Sequence, residues 1–126
     1  MSKKALRLGD YLQHIRDAAD RIQRYTLGKS KADFLNDEQL QDAVIRNIEI
    51  IGKAARNVSL HAPEFAQLNT QIPWAALYAM RNRLSHGYWT IDLPVVWQVI
   101  ERNLPELQVQ LQELDLPDSG AFSGKS

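Results

Sequence analysis

From Asp10 onward the apolar residues Leu12, Ile15, Ala19 and Ile22 fall three and four apart, the spacing of one helix face. Leu27-Gly28 closes that stretch, glycine being suited to the left-handed position after a helix. A second helix is predicted to open at Asn36-Asp37-Glu38-Gln39, with Asn36 as its cap and Gln39 reaching back as in a capping box. Its apolar set is Leu40, Val44, Ile48, Ile51, Ala55 and Val58, widened by Ile45 and Ile50, so it is expected to touch neighbours on more than one side. Residues 59–73 read as a connector with at most one short turn. A third helix is predicted from Pro73-Trp74, since proline is comfortable in a first turn. It turns Leu77, Met80 and Leu84 inward and ends at Gly87. A fourth starts around Asp92-Leu93-Pro94 and carries Trp97, Ile100, Leu104, Leu107, Leu111 and Leu114 on its apolar face. Within it, Pro105 removes one backbone donor and crowds the carbonyl of Glu101, which predicts a kink. Nothing alternates with a period of two over strand length. The expected architecture is all-α, a compact bundle of four main helices.

The chain has 126 residues, a size that suits one domain with one core. Residues 1–114 form the expected helical domain; DLPDSGAFSGKS, residues 115–126, has little to bury and reads as a flexible C-terminal tail. Fifteen basic residues balance fifteen acidic ones, so any contact with nucleic acid must use a local cluster. The absence of cysteine excludes disulfides and thiolate metal sites and makes a cytoplasmic location the default. MSKKALRLGDYLQHIR has no apolar stretch behind its lysines, so no signal peptide is expected, and no run approaches the roughly 18 apolar residues of a membrane span. His14 and His61 read as surface or partly buried residues, so no metal site is expected. Arg16, Arg21 and Arg24 alternate with Asp17 and Asp20 and read as a solvated, mixed-charge face. Trp74, Trp89 and Trp97 read as packing residues, with Trp89 close enough to Tyr88 to help hold it.

Residues 81–89, RNRLSHGYW, concentrate chemistry that the rest of the chain lacks. Two readings stand side by side. In the first, Arg81, Arg83 and His86 decorate a helix end, where cations complement the macrodipole and Gly87 caps. In the second they form a site. Arg81 and His86 lie five residues apart, roughly 140° around an ideal helix, and both reach one cleft only if the helix relaxes near Gly87. Arginine offers a planar fork for a phosphate, and histidine takes and gives a proton near neutral pH. Together they are a minimal kit for breaking an RNA phosphodiester through its own 2′-hydroxyl, without metal. One histidine cannot comfortably serve as base and acid in one step; a symmetric dimer would supply two. Asn47 and Glu49 interrupt the second helix's apolar run, either as part of a solvated strip or with Glu49 turned to orient Arg81 or His86.

The segment resembles the Arg-x4-His-x-Tyr pattern of the HepT-like toxins in the HEPN superfamily. Its flanks are similar too: AVIRNIEIIGKAARN at 43–57, QIPWAALYAMRNRLSHGYW at 71–89 and IDLPVVWQVIERNLPEL at 91–107. The resemblance covers most of residues 8–114. It implies a dimerising helical bundle whose paired motifs form a cleft, and a toxin acting as a metal-independent ribonuclease that needs no cofactor. It also implies a partner, a nucleotidyltransferase antitoxin similar to MntA, which neutralises the toxin by transferring AMP to the motif tyrosine. By position, Arg81 and His86 are the implied catalytic residues, Asn82 and Ser85 supporting polar groups, and Tyr88 the AMP acceptor. The chain departs from the pattern at Gly52-Lys53-Ala54, where the family has Gly-Glu-Ala. Two other classes of function stay open: a nucleotide-binding or docking subunit of a nucleotidyltransferase, and a structural helical adaptor.

Overall fold

A computed structural model of the chain describes residues 3–86 and 91–114, with side chains described over 7–82 and 91–114. Helix α1 spans Lys3–Thr26, α2 Lys31–Leu35, α3 Glu38–His61, α4 Pro63–Leu68, α5 Trp74–His86, α6 Leu93–Gln98 and α7 Leu104–Gln112. A π-helical turn, Val99–Asn103, joins the last two. All regular structure among the described residues is helical, as the periodicity predicts. None of these helices is long and apolar enough to cross a membrane.

Helix α3 is the centre. Its Val44, Ile48, Ile51, Ala55 and Val58 are fully buried, and it packs against α1 on one side and α5 on the other. That is what its wide apolar stripe predicts. From α1, Leu12, Ile15, Ala19 and Ile22 enter the same core. The tail end of the core comes from Leu104, Leu107, Leu111 and Leu114.

The structure corrects several local expectations. The first helix begins at Lys3, seven residues before Asp10. Residues 31–35, for which the apolar pattern predicts no element, form α2, capped at Ser30: its hydroxyl accepts from the Asp33 N–H while the Asp33 carboxylate accepts from the Ser30 N–H. Those backbone and side-chain hydrogen bonds to Ser30, with Lys29 nearby, hold the Asp33 carboxyl below its ordinary value. The helix is short because its purpose is one side chain, Phe34, which is fully buried and tilts against Trp97 at 5.6 Å. Asn36 therefore ends α2, and the cap of α3 is Asp37, whose carboxylate accepts from the Leu40 N–H at 3.0 Å. The connector 59–73 holds the last turn of α3 and a full short helix, α4, started by Pro63. Gly28 does adopt the left-handed conformation, with φ of 76°.

Pro105 perturbs its helix as predicted, and the π turn gives the form. The Leu104 N–H donates to the Val99 carbonyl, five residues back, so that Pro105 enters the first turn of a new helix where no N–H is needed. Asp92 caps α6 through the Val95 N–H.

Charged groups on α1 are also less solvent-directed than their alternation suggests. The Arg16 guanidinium donates to the Leu111 carbonyl at the end of α7, 3.0 Å away. Arg21 Nε donates to Asn47 Oδ1 at 2.7 Å. Asn47 is thus buried, not part of a solvated strip, and its amide nitrogen donates to the Ala43 carbonyl at 2.8 Å. A polar residue interrupts the apolar run because an arginine from the neighbouring helix ends there.

Candidate active site at the seam of the third and fifth helices

The start of α5 is pinned before the helix begins. Trp74 is buried, and its indole N–H donates to the carbonyls of Ala66 and Asn69, both at 3.2 Å. Its ring packs against Phe65 from α4. From that point α5 runs against α3 to the motif.

The contact that sets their separation is Gly52. A Cβ placed there would overlap the Cβ of Arg81 and lie 2.8 Å from the Leu77 carbonyl oxygen and 3.0 Å from Arg81 Cγ. Glycine in a helix interior costs roughly 1 kcal/mol relative to alanine; here it lets α5 approach closely enough to lay the stem of Arg81 on the α3 backbone. The Arg81 side chain is half-buried as a result. Its guanidinium is a planar fork of donors of the kind that grips a phosphate in two places.

Glu49, Lys53 and Arg56 follow one another at spacings of four and three and share one flank of α3. On α5, Arg81 and Asn82 lie three and four residues after Tyr78, on the same side of that helix. The two flanks adjoin, because the Arg56 guanidinium lies over the Tyr78 ring, 4.5 Å from its centroid. Glu49 is half-buried and Asn82 exposed; each makes a polar or ring contact within the fold. Ser85 and His86 occupy the last turn of α5, but their side chains, with that of Leu84, lie outside the described set. Gly87, Tyr88 and Trp89 lie outside the described residues altogether, as does the tail 115–126.

A groove of about 830 Å³ lies on the opposite flank of α5, between Ala76, Met80 and Val95, Val99. It is mainly apolar and Arg81 is not among its walls. No group of three or more His, Asp or Glu side chains that could hold a metal ion occurs among the described residues.

Sequence reasoning names Arg81 and Asn82 as candidates but passes over the structural roles of Gly52, Asn47 and the Arg56–Tyr78 pair. A signal for the first was present: an isolated glycine inside a long apolar helix usually has a packing reason. The Arg56–Tyr78 stack leaves no comparable mark, since its partners are 22 residues apart on different helices.

A family model, Ribonuclease HepT-like, matches residues 15–114. "Probable ribonuclease HepT" of Thermococcus cleftensis is 36% identical over 83% of this chain and 93% of its own length. "Putative RNase TTE0752" of Caldanaerobacter subterraneus subsp. tengcongensis is 33% identical over 82% of this chain and 90% of its own. "Gamma-glutamylcyclotransferase and putative RNase MJ0434" of Methanocaldococcus jannaschii is 38% identical over 83% of this chain; the chain spans about half, 48%, of that longer protein. No solved structure matches. With the family model covering the helices from the middle of α1 to the end of α7, the chain belongs to the HepT-like ribonuclease family.

Proposed function

We propose that this chain is the ribonuclease toxin of a toxin–antitoxin pair, cutting RNA without a metal ion through Arg81 and His86. The observation that carries the reading is Arg81: its stem lies against Gly52 on the neighbouring helix, five residues before the motif histidine. Family membership and relatives named as ribonucleases support the same reading.

In this reading the ribose 2′-oxygen attacks the adjacent phosphorus. A neutral imidazole of His86 removes the 2′-hydroxyl proton as the new P–O bond forms, and the bond to the 5′-oxygen of the next nucleotide breaks. That oxygen needs a proton as it leaves. A second His86, from another copy of the chain, gives it in protonated form, so the active species is a homodimer with two motifs across one cleft. Arg81 offsets the charge that builds on the non-bridging oxygens. The products are a 2′,3′-cyclic phosphate and a 5′-hydroxyl. Asn82, Ser85 and Glu49 orient these groups. A nucleotidyltransferase antitoxin silences the site by placing AMP on Tyr88, two residues past the histidine, where the added phosphate would meet the arginine meant for RNA.

The test is cleavage of unstructured RNA in the presence of a chelator, with end-group analysis of the fragments. Arg81→Ala and His86→Ala should each lower the rate by at least about 10²-fold while leaving the helical circular dichroism intact. Full activity in the His86 variant, or fragments ending in 3′-hydroxyls, would sink the mechanism.

A further inference from the structure

The flank shared by α3 and α5 carries three cations, Lys53, Arg56 and Arg81, against one acid, Glu49, although the chain as a whole is neutral. Lys53 and Arg56 are exposed. Arg56 is also held. Its guanidinium lies over the Tyr78 ring, 4.5 Å from the centroid, and offers five N–H donors in a rigid fork. A long side chain with roughly 2 kcal/mol of rotamer freedom is thereby ordered before any ligand arrives. Gly52 is level with Arg81, and Arg56 stands one turn further along α3, about 6 Å by helix rise.

We infer that Lys53, Arg56 and Tyr78 form a binding track for single-stranded RNA, leading away from the scissile phosphate at Arg81. Lys53 and Arg56 hold phosphates on one side of the cut, and the outer face of the Arg56 guanidinium, backed by Tyr78, is a platform on which an unstacked base rests. The substrate is single-stranded because a base can reach that platform only when it is free of a duplex stack. This inference rests on the ribonuclease reading for the position of the cut, but its own content is a binding surface.

The test is binding of the full chain to a fluorescein-labelled 2′-O-methyl oligouridylate, which cannot be cut, measured across a range of salt. Cleavage of the unmodified oligouridylate is followed in parallel. For a single strand the slope of log K against log salt is about −0.7 per phosphate contact. The Lys53→Ala/Arg56→Ala double variant should lose affinity by about tenfold or more, and its slope should become shallower by about 1.4. Tyr78→Leu, which keeps both charges, should weaken binding with little change of slope. Arg102→Ala, an exposed cation elsewhere, should change neither. If wild type cleaves RNA while the double variant keeps its affinity and slope, the track is wrong and the ribonuclease reading stands. If wild type binds with the predicted slope change but never cleaves, the track stands and the ribonuclease reading falls.

Discussion

Asn47 shows how one residue can be misread from its neighbours in the chain and understood from its neighbours in space. It sits inside α3, accepts from Arg21 of α1 and donates to the Ala43 carbonyl of its own helix. Asn47→Ala would gain a few tenths of a kcal/mol of helix propensity and leave a half-buried guanidinium N–H without an acceptor. The second effect is larger, so the variant should lose about 1–3 kcal/mol of stability in urea denaturation, with an unchanged m-value. A change within about 0.5 kcal/mol of wild type would mean that water satisfies Arg21 as well as the amide does. Sequence reading places Asn47 on a helix and stops there, because hydrogen bonding between helices has no period along the chain. The same limit hides the Arg16 bond to the Leu111 carbonyl, between residues 95 apart. Arg81, by contrast, is legible because its meaning lies in a short local spacing to His86.

At the scale of the element, long helices are readable and short ones are not. The apolar stripes of α1, α3 and α7 name most of the buried residues in advance, though not Leu8, Ala18 or Ala54, since each repeats the same three-four spacing over several turns. Helix α2 spans five residues and buries only Phe34, too few positions to show a period; the Ser30–Asp33 capping pair was its readable sign. The pairing of α3 with α5 turns on Gly52. In Gly52→Ala, helix propensity favours the variant by roughly 1 kcal/mol, whereas forcing a methyl against the Arg81 stem and the Leu77 carbonyl costs about 1–3 kcal/mol. The backbone carbonyl cannot swing aside, so α5 must shift. Stability should fall modestly and RNA cleavage by on the order of 10²-fold, because the displaced residue is the proposed phosphate fork. Cleavage rates taken well below the melting temperature separate the two effects. An alanine variant with wild-type activity would show that Arg81 tolerates a change in its seat.

At the scale of the whole molecule, the described bundle presents one flank rich in cations and, across α5, another that is mainly apolar. The proposed regulation is a property of the assembly, not of any single helix. Coexpressed with a nucleotidyltransferase antitoxin, the chain should gain mass in whole AMP units, and peptide mapping should place them on Tyr88. Tyr88→Phe should abolish the gain. An adduct that persists in that variant would move the acceptor elsewhere, and no adduct under conditions where the transferase is active would leave inhibition to binding alone. The four-helix architecture was legible from periodicity, and the Arg-x4-His-x-Tyr spacing was legible from the motif. How the seam joins them was not, because it depends on a glycine whose only signal is the absence of a side chain.

The pinning of Trp74 turns α5 into a ruler. Its zero mark is fixed by two carbonyls of the preceding turn, and Gly52 grips it again seven residues on, at Arg81. Between those marks the chain has no slack to absorb a miscount. One residue added or lost there would rotate Arg81 by about 100° and slide it by about 1.5 Å, carrying the arginine out of its seat and a neighbour into it. Substitutions can accumulate around this site, but length cannot drift. The distance from tryptophan to arginine is therefore as much a part of the motif as the distance from arginine to histidine.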